Sequence, residues 1–154
     1  MFAGVSTLNL DAKGRLAVPA KHREALADCC ASRVVVTVNP DDQERCLLLY
    51  PENEWREVAR NLSRRDSMHP KVRAMQRLVV GYASELELDG QGRILLSSEL
   101  RDFARLDKRV SLVGQVNKIE IWDEETWAGN REQWLREVTS GEDGMAEELK
   151  GLML

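Results

Sequence analysis

The 154-residue sequence is poor in aromatic residues, at 5%, and holds only two histidines and three cysteines. The few aromatics do not interleave with basic residues, so no stacking platform for single strands or RNA is suggested. Cys29, Cys30 and Cys46 include no C-x-x-C pair, and two of them are adjacent, a poor geometry for a structural bridge. With His22 and His69 they make no zinc-ligand pattern and read as reduced thiols. No run nears the roughly 20 apolar residues of a spanning helix. The opening "MFAGVSTLNLD" has neither a basic leader nor a long apolar stretch, so a cytoplasmic protein with no membrane role is expected. G-x-S-x-G elbow, P-loop and Rossmann fingerprint are all missing; neither catalysis, nor a cofactor, nor a metal is expected.

An excess of positive charge is missing too: the formal net charge is −4, which at first argues against a polyanionic partner. The charge is segregated, however. From Arg56 to Arg77 seven basic residues face two acidic ones, and from Asp123 to Leu154 nine acidic residues face three basic ones. Where a partner binds depends on that distribution more than on the sum.

What the sequence does have is a duplication. "LNLDAKGRLAVPAKHRE" returns as "LELDGQGRILLSSELRD", with Asp89 − Asp11, Arg93 − Arg15 and Arg101 − Arg23 all equal to 78. Each copy begins with an alternating run, "VSTLNLD" or "ASELELD", of the half-buried strand type. Each run meets D-x-x-G. Asp11 or Asp89 can accept from nearby backbone donors, and Gly14 or Gly92 can take positive φ, the requirements of a type I turn closed by a G1 bulge. Turn chemistry thus accounts for the two Asp without an acid/base role. The short strands "RLAV" and "RILL" follow, each expected to fold back as a hairpin.

Pro19 and Ser97 suit helix starts ahead of "AKHREALA" and "SELRDFARL". Two strands and a helix then complete each half: "RVVVTV", "CLLLY" and "PENEWREVARNLS", against "RVSLVG", "KIEIW" and "DEETWAGNREQWLREV". The offset drops to 72 at Trp122 − Tyr50 and Trp127 − Trp55, which places six extra residues in the loop "NPDDQER". Between the halves, "PKVRAMQRLVVG" predicts a helix with Val72, Met75 and Val79 on one stripe and Arg73 and Arg77 on another. Trp55, Trp127 and Trp134 read as core or interface anchors. The pattern predicts a small α+β, mainly β fold with pseudo-two-fold symmetry, and half-chains this small need each other to bury a sufficient core.

For function, a bulged turn projecting Lys13 and Arg15, with Lys21, His22 and Arg23 beyond, offers charge-assisted donors to phosphate, and a guanidinium can read guanine bidentately. One such turn is a weak reader; several on an oligomer gain through effective concentration. The plainer reading is that Asp11 caps its turn and pairs with Arg15 across it, worth about 0–1 kcal/mol. Arg56 to Arg77 likewise reads as a solvated helix face or as a phosphate contact. An oligomeric protein-interaction scaffold without direct DNA readout is the rival class, with the acidic tail or "MAEELKGLML" as a docking helix.

The segments "MFAG", "NLDAKGRLAVP", "LLLYP", "SMHP", "QRLVVGYASELELDGQGRILL" and "LVGQVNKIEIWDEETW" together resemble the MraZ family of bacterial transcriptional regulators, in order from Met1 to about Leu135. The resemblance implies tandem swapped-hairpin, AbrB-like units forming a barrel with short helices. Residues 1–66 would be the first unit, 67–80 a connecting helix, 81–138 the second unit and 139–154 an acidic tail with a short amphipathic helix. It further implies ring-shaped homo-oligomers, nucleoid-associated. Their target would be double-stranded promoter DNA with short direct repeats upstream of the division and cell-wall gene cluster, often with repression of the protein's own operon. The D-x-x-x-R motifs fall on Asp11 and Arg15, and on Asp89 and Arg93, giving Lys13, Arg15, Lys21, Arg23 and Arg93 as candidate DNA contacts. The second motif has Gly90 and Gln91 in place of Ala12 and Lys13, and Ser97 in place of Pro19, so the first is expected to be the stronger contact.

Overall fold

A computed structural model describes residues 1–139, Leu149, Gly151 and Leu152. The expected amphipathic helix in the acidic tail lies, apart from those last three residues, outside the described residues. The chain divides into two compact units, Met1–Glu124 and Glu125–Leu154.

The first unit is mainly antiparallel sheet with short helices. In chain order it contains β1 (Val5–Asn9), β2 (Arg15–Ala17), α1 (Ala20–Cys30), β3 (Arg33–Val38), β4 (Leu47–Pro51), α2 (Glu52–Ser63), α3 (Pro70–Val79), β5 (Ser84–Glu87), β6 (Arg93–Leu95), α4 (Ser98–Phe103), β7 (Arg109–Gly114) and β8 (Ile119–Asp123). Pro19 and Ser97 stand at the N-caps of α1 and α4, and the Ser97 hydroxyl accepts from the Leu100 N–H at 3.3 Å. α5 (Glu124–Thr139) carries the chain into the second unit, where the Trp127 and Trp134 rings meet edge to face at 5.4 Å between centroids.

The halves exchange strands. One sheet runs β1-β7-β8-β4-β3-β5 and a second pairs β2 with β6. The expected hairpins are therefore not ladders within one half: β1 pairs with β7 and β2 with β6, each from the other half. Alternation marks a strand's buried face but carries no information on its partner. The register shows a pseudo-two-fold axis. In the β2–β6 pair Arg15 faces Leu95, Leu16 faces Ile94 and Ala17 faces Arg93, symmetric about Leu16 and Ile94. In the β4–β8 pair Leu47 faces Ile121 and Leu49 faces Ile119, symmetric about Leu48 and Glu120.

The six-stranded order is linear, with β1 and β5 at its two edges, so strand pairing does not close the expected barrel. The extra residues of the first half also fall in two places. Leu10 N–H donates to the Lys108 carbonyl and Leu88 N–H to that of Ser32, an offset of 76. Two extra residues therefore precede β3, and the other four lie in the loop before β4.

Both halves fill one core: Leu16, Leu26, Val36, Leu47 and Leu49 with Ile94, Leu96, Leu100, Leu112, Ile119 and Ile121, all essentially sealed from water. At about 25 cal/mol per Å² this shared apolar burial is the main force holding the halves together. On α3 the inward stripe differs from the expected one. Val79 is buried, but Met75 is exposed, and Gln76 takes the inner position, donating from Nε2 to the Leu62 carbonyl at 2.8 Å. Hydrogen bonding to the end of α2 thus outweighs the apolar periodicity.

Candidate nucleic-acid interface

The two turns have the same internal geometry. Asp11 Oδ1 accepts from the N–H groups of Lys13 (2.9 Å) and Arg15 (2.8 Å), and its Oδ2 takes Arg15 Nε at 2.5 Å. Asp89 accepts from the N–H groups of Gln91 and Arg93 and from Arg93 Nε, each at 2.9 Å. Gly14 and Gly92 sit at φ +86° and +74°, where a Cβ would clash with the backbone, and their N–H groups donate to the Asp11 and Asp89 carbonyls. The Arg15 N–H above all, then the guanidinium and the Lys13 N–H, holds the Asp11 carboxyl down at about 2. Asp89 is lowered for the same reasons, led by the Arg93 N–H.

This clamp leaves each arginine half-used. Asp11 and Asp89 engage Nε, while the η nitrogens of Arg15 and Arg93, both half-buried, have no protein partner among the described residues. A guanidinium gripped along one edge keeps its other edge for an outside acceptor at reduced entropic cost.

Strand exchange brings a second arginine to each turn, from the opposite half. The Val18 N–H donates to the Gly92 carbonyl and the Leu96 N–H to that of Gly14, which draws α1 over the second turn and α4 over the first. Arg23 therefore covers Gly92 and donates from Nη1 to the Gln91 carbonyl at 3.3 Å. Arg101 covers Gly14, with its Nε on the Leu96 carbonyl at 3.1 Å. The candidate contacts Arg93 and Arg23 meet at the second turn. Lys13 and Arg15 meet at the first, joined by Arg101, which the sequence reading did not place in the site. The 78-residue spacing from Arg23 marks it, but only the exchanged strands show which turn it serves.

Lys21 lies apart from both turns, its Nζ on the Ala3 carbonyl at 3.2 Å. His22 departs from the expected donor role. It is buried, with its ring edge against Phe2, and burial above all holds its pKa below the usual imidazole value, followed by the nearby Lys21 and N-terminal charges. It faces the core because α1 turns the 22 and 26 positions inward. Along the basic stretch, Arg56 pairs with Glu52, Arg60 with Glu57, and Arg73 donates to the Ser67 and Met68 carbonyls. Half-occupied, mostly exposed side chains of this kind fit a solvated face.

Sequence relatives span most or all of the chain. The family model "MraZ protein, putative antitoxin-like" matches residues 1–78 and again 79–143. The chain is 53% identical over 147 residues to "Transcriptional regulator MraZ" of Thioalkalivibrio sulfidiphilus (strain HL-EbGR7), covering 96% of this chain and 93% of the relative. It is 47% identical to the protein of the same description in Alkalilimnicola ehrlichii (strain ATCC BAA-1101 / DSM 17681 / MLHE-1), and 42% identical to that of Legionella pneumophila (strain Corby), both over the full length of each chain.

Proposed function

Because the chain belongs to the MraZ family, we propose that it is a DNA-binding transcriptional regulator whose two D-x-x-x-R turns contact duplex DNA. One observation carries the reading: both turns hold an arginine in the same carboxylate clamp with its η nitrogens unpaired, beside a second arginine from the other half. Phosphate contacts fix register and a guanidinium at a base edge gives sequence preference. Lys13, Arg15, Arg101, Arg23 and Arg93 take these roles, with Lys21 a flanking contact. The first turn is the stronger reader, since Lys13 stands where the second has Gln91.

We further propose that the target is a set of short direct repeats upstream of the division and cell-wall gene cluster, that binding represses the protein's own operon, and that the protein works in the cytoplasm at the nucleoid. Residues 1–66 and 81–138 are read as two AbrB-like units joined by 67–80, with 139–154 as the tail. Ring-shaped homo-oligomers would present several turns to repeated sites. The open sheet edge at β1 supports assembly, because an uncharged edge such as Val5–Asn9 invites cover by another chain. The test is a gel shift of the protein on its own upstream region against scrambled DNA. Equal affinity for the two sequences refutes a sequence-specific reader, and no shift on either refutes DNA binding.

A further inference from the structure

The two turns differ in what stands beside them. The carbonyl that receives the Leu10 N–H belongs to Lys108, and the carbonyl that receives the Leu88 N–H belongs to Ser32. Lys108 and Ser32 are therefore equivalent positions flanking the first and second turns, a cation in one place and a hydroxyl in the other.

A groove of about 610 Å³ opens beside the first turn, with Asp11, Ala12, Gly14, Arg101, Asp107 and Lys108 in its wall. Its cations both come from the half opposite the turn. Arg101 is fixed by the Leu96 carbonyl and by its seat on Gly14, while Lys108 is exposed. Of the two carboxylates, that of Asp11 is already taken by Arg15 and two backbone N–H groups. Asp107 is the opposing charge.

We propose that this groove seats a backbone phosphate of duplex DNA, with Lys108 and Arg101 as its donors, so that the first turn reads DNA against an anchor built by the other half of the chain. The inference rests on the DNA-binding reading above. A compact, strongly hydrated ammonium meets phosphate as a point charge without demanding planar geometry, and the fixed guanidinium supplies direction. Such an anchor beside Arg15 separates positioning from base readout. It also makes the two turns of one chain unequal, with four cations around the first (Lys13, Arg15, Arg101, Lys108) and two around the second (Arg23, Arg93).

The test is a salt titration of affinity, by fluorescence anisotropy, on the upstream DNA and on scrambled DNA, for wild type, Lys108→Gln, Asp107→Asn and the distant control Lys118→Gln. Light scattering checks that each keeps the wild-type assembly. Lys108→Gln is expected to weaken binding to both DNAs alike and to flatten the log K against log salt slope by about one for each groove engaged. Asp107→Asn is expected to bind more tightly and Lys118→Gln as wild type. A wild-type slope and affinity in Lys108→Gln, with wild type still binding DNA, overturns the groove and leaves the regulator reading standing. Wild-type protein without salt-dependent affinity for either DNA overturns both.

Discussion

The guanidinium of Arg101 lies over Gly14, so close that a Cβ on that glycine would stand 2.8 Å from its Nε. Arg23 stands in the same relation to Gly92, where a Cβ would run into its Cδ. The glycine of each turn is thus covered by an arginine of the half that did not contribute it.

Gly92→Ala is expected to cost about 1–2 kcal/mol, from a Cβ forced into positive φ, and to drive Arg23 off the turn. Repeating it in an Arg23→Ala background separates the two parts by a double-mutant cycle. The cost should fall there to the backbone part alone, read as urea-unfolding midpoints. Equal costs in both backgrounds would show that Arg23 exerts no pressure on the turn.

Leu16 and Ile94 face each other on the pseudo-two-fold axis, both buried. Leu16→Ala and Ile94→Ala are each expected to cost about 2–5 kcal/mol, the range for emptying a sealed aliphatic site. Because the halves share one core, the first unit should still unfold in one step. Trp55 and Trp122, buried in opposite halves, should report the same midpoint when each is followed in variants lacking the other tryptophans. Separate midpoints would contradict the shared core.

His22 ties stability to pH with a definite sign. Its folded pKa lies below the usual 6.5 because burial disfavours the imidazolium, so the unfolded chain binds a proton that the folded chain refuses. Stability from this group is full above the unfolded pKa and is lost as pH falls below about 6.5. Leu100 occupies the equivalent position in α4, so His22→Leu should fold normally and lose less Tm than wild type between pH 8 and 5.5. A wild-type Tm drop in the variant would show that His22 contributes nothing to it.

The Asp11 carboxyl is expected to titrate near pH 2 in the folded protein, from about 2 against an ordinary 3.8. With a lowered pKa, its stabilising contribution is present above the unfolded value and is lost as pH falls from about 4 towards 2. Carboxyl NMR on acid titration reads this directly. Arg15→Ala should move the Asp11 midpoint only part of the way up, because the two backbone N–H groups remain.

Local chemistry made much of this legible in the sequence. Asp11 and Gly14 specify their turn, Pro19 and Ser97 start their helices, and the apolar runs mark β3, β4, β7 and β8, because each signal lies within a few residues of its effect. Partnership was not legible. β1 finds β7 about a hundred residues away, and its alternation would serve a hairpin as well. The same gap hid Arg101, whose role depends on where the exchanged chain lies. His22 looked available because basic neighbours surround it in sequence, whereas the helical turn points it inward.

The most direct test of the first turn as the principal DNA contact compares Arg15→Ala with Arg93→Ala by anisotropy on the upstream DNA, with assembly checked by light scattering. Arg15→Ala is expected to lose about 1–3 kcal/mol, roughly 5- to 150-fold in affinity, and to relax the preference over scrambled DNA; Arg93→Ala should lose less. Wild-type affinity and preference in an intact Arg15→Ala assembly, held across the salt range, would contradict it.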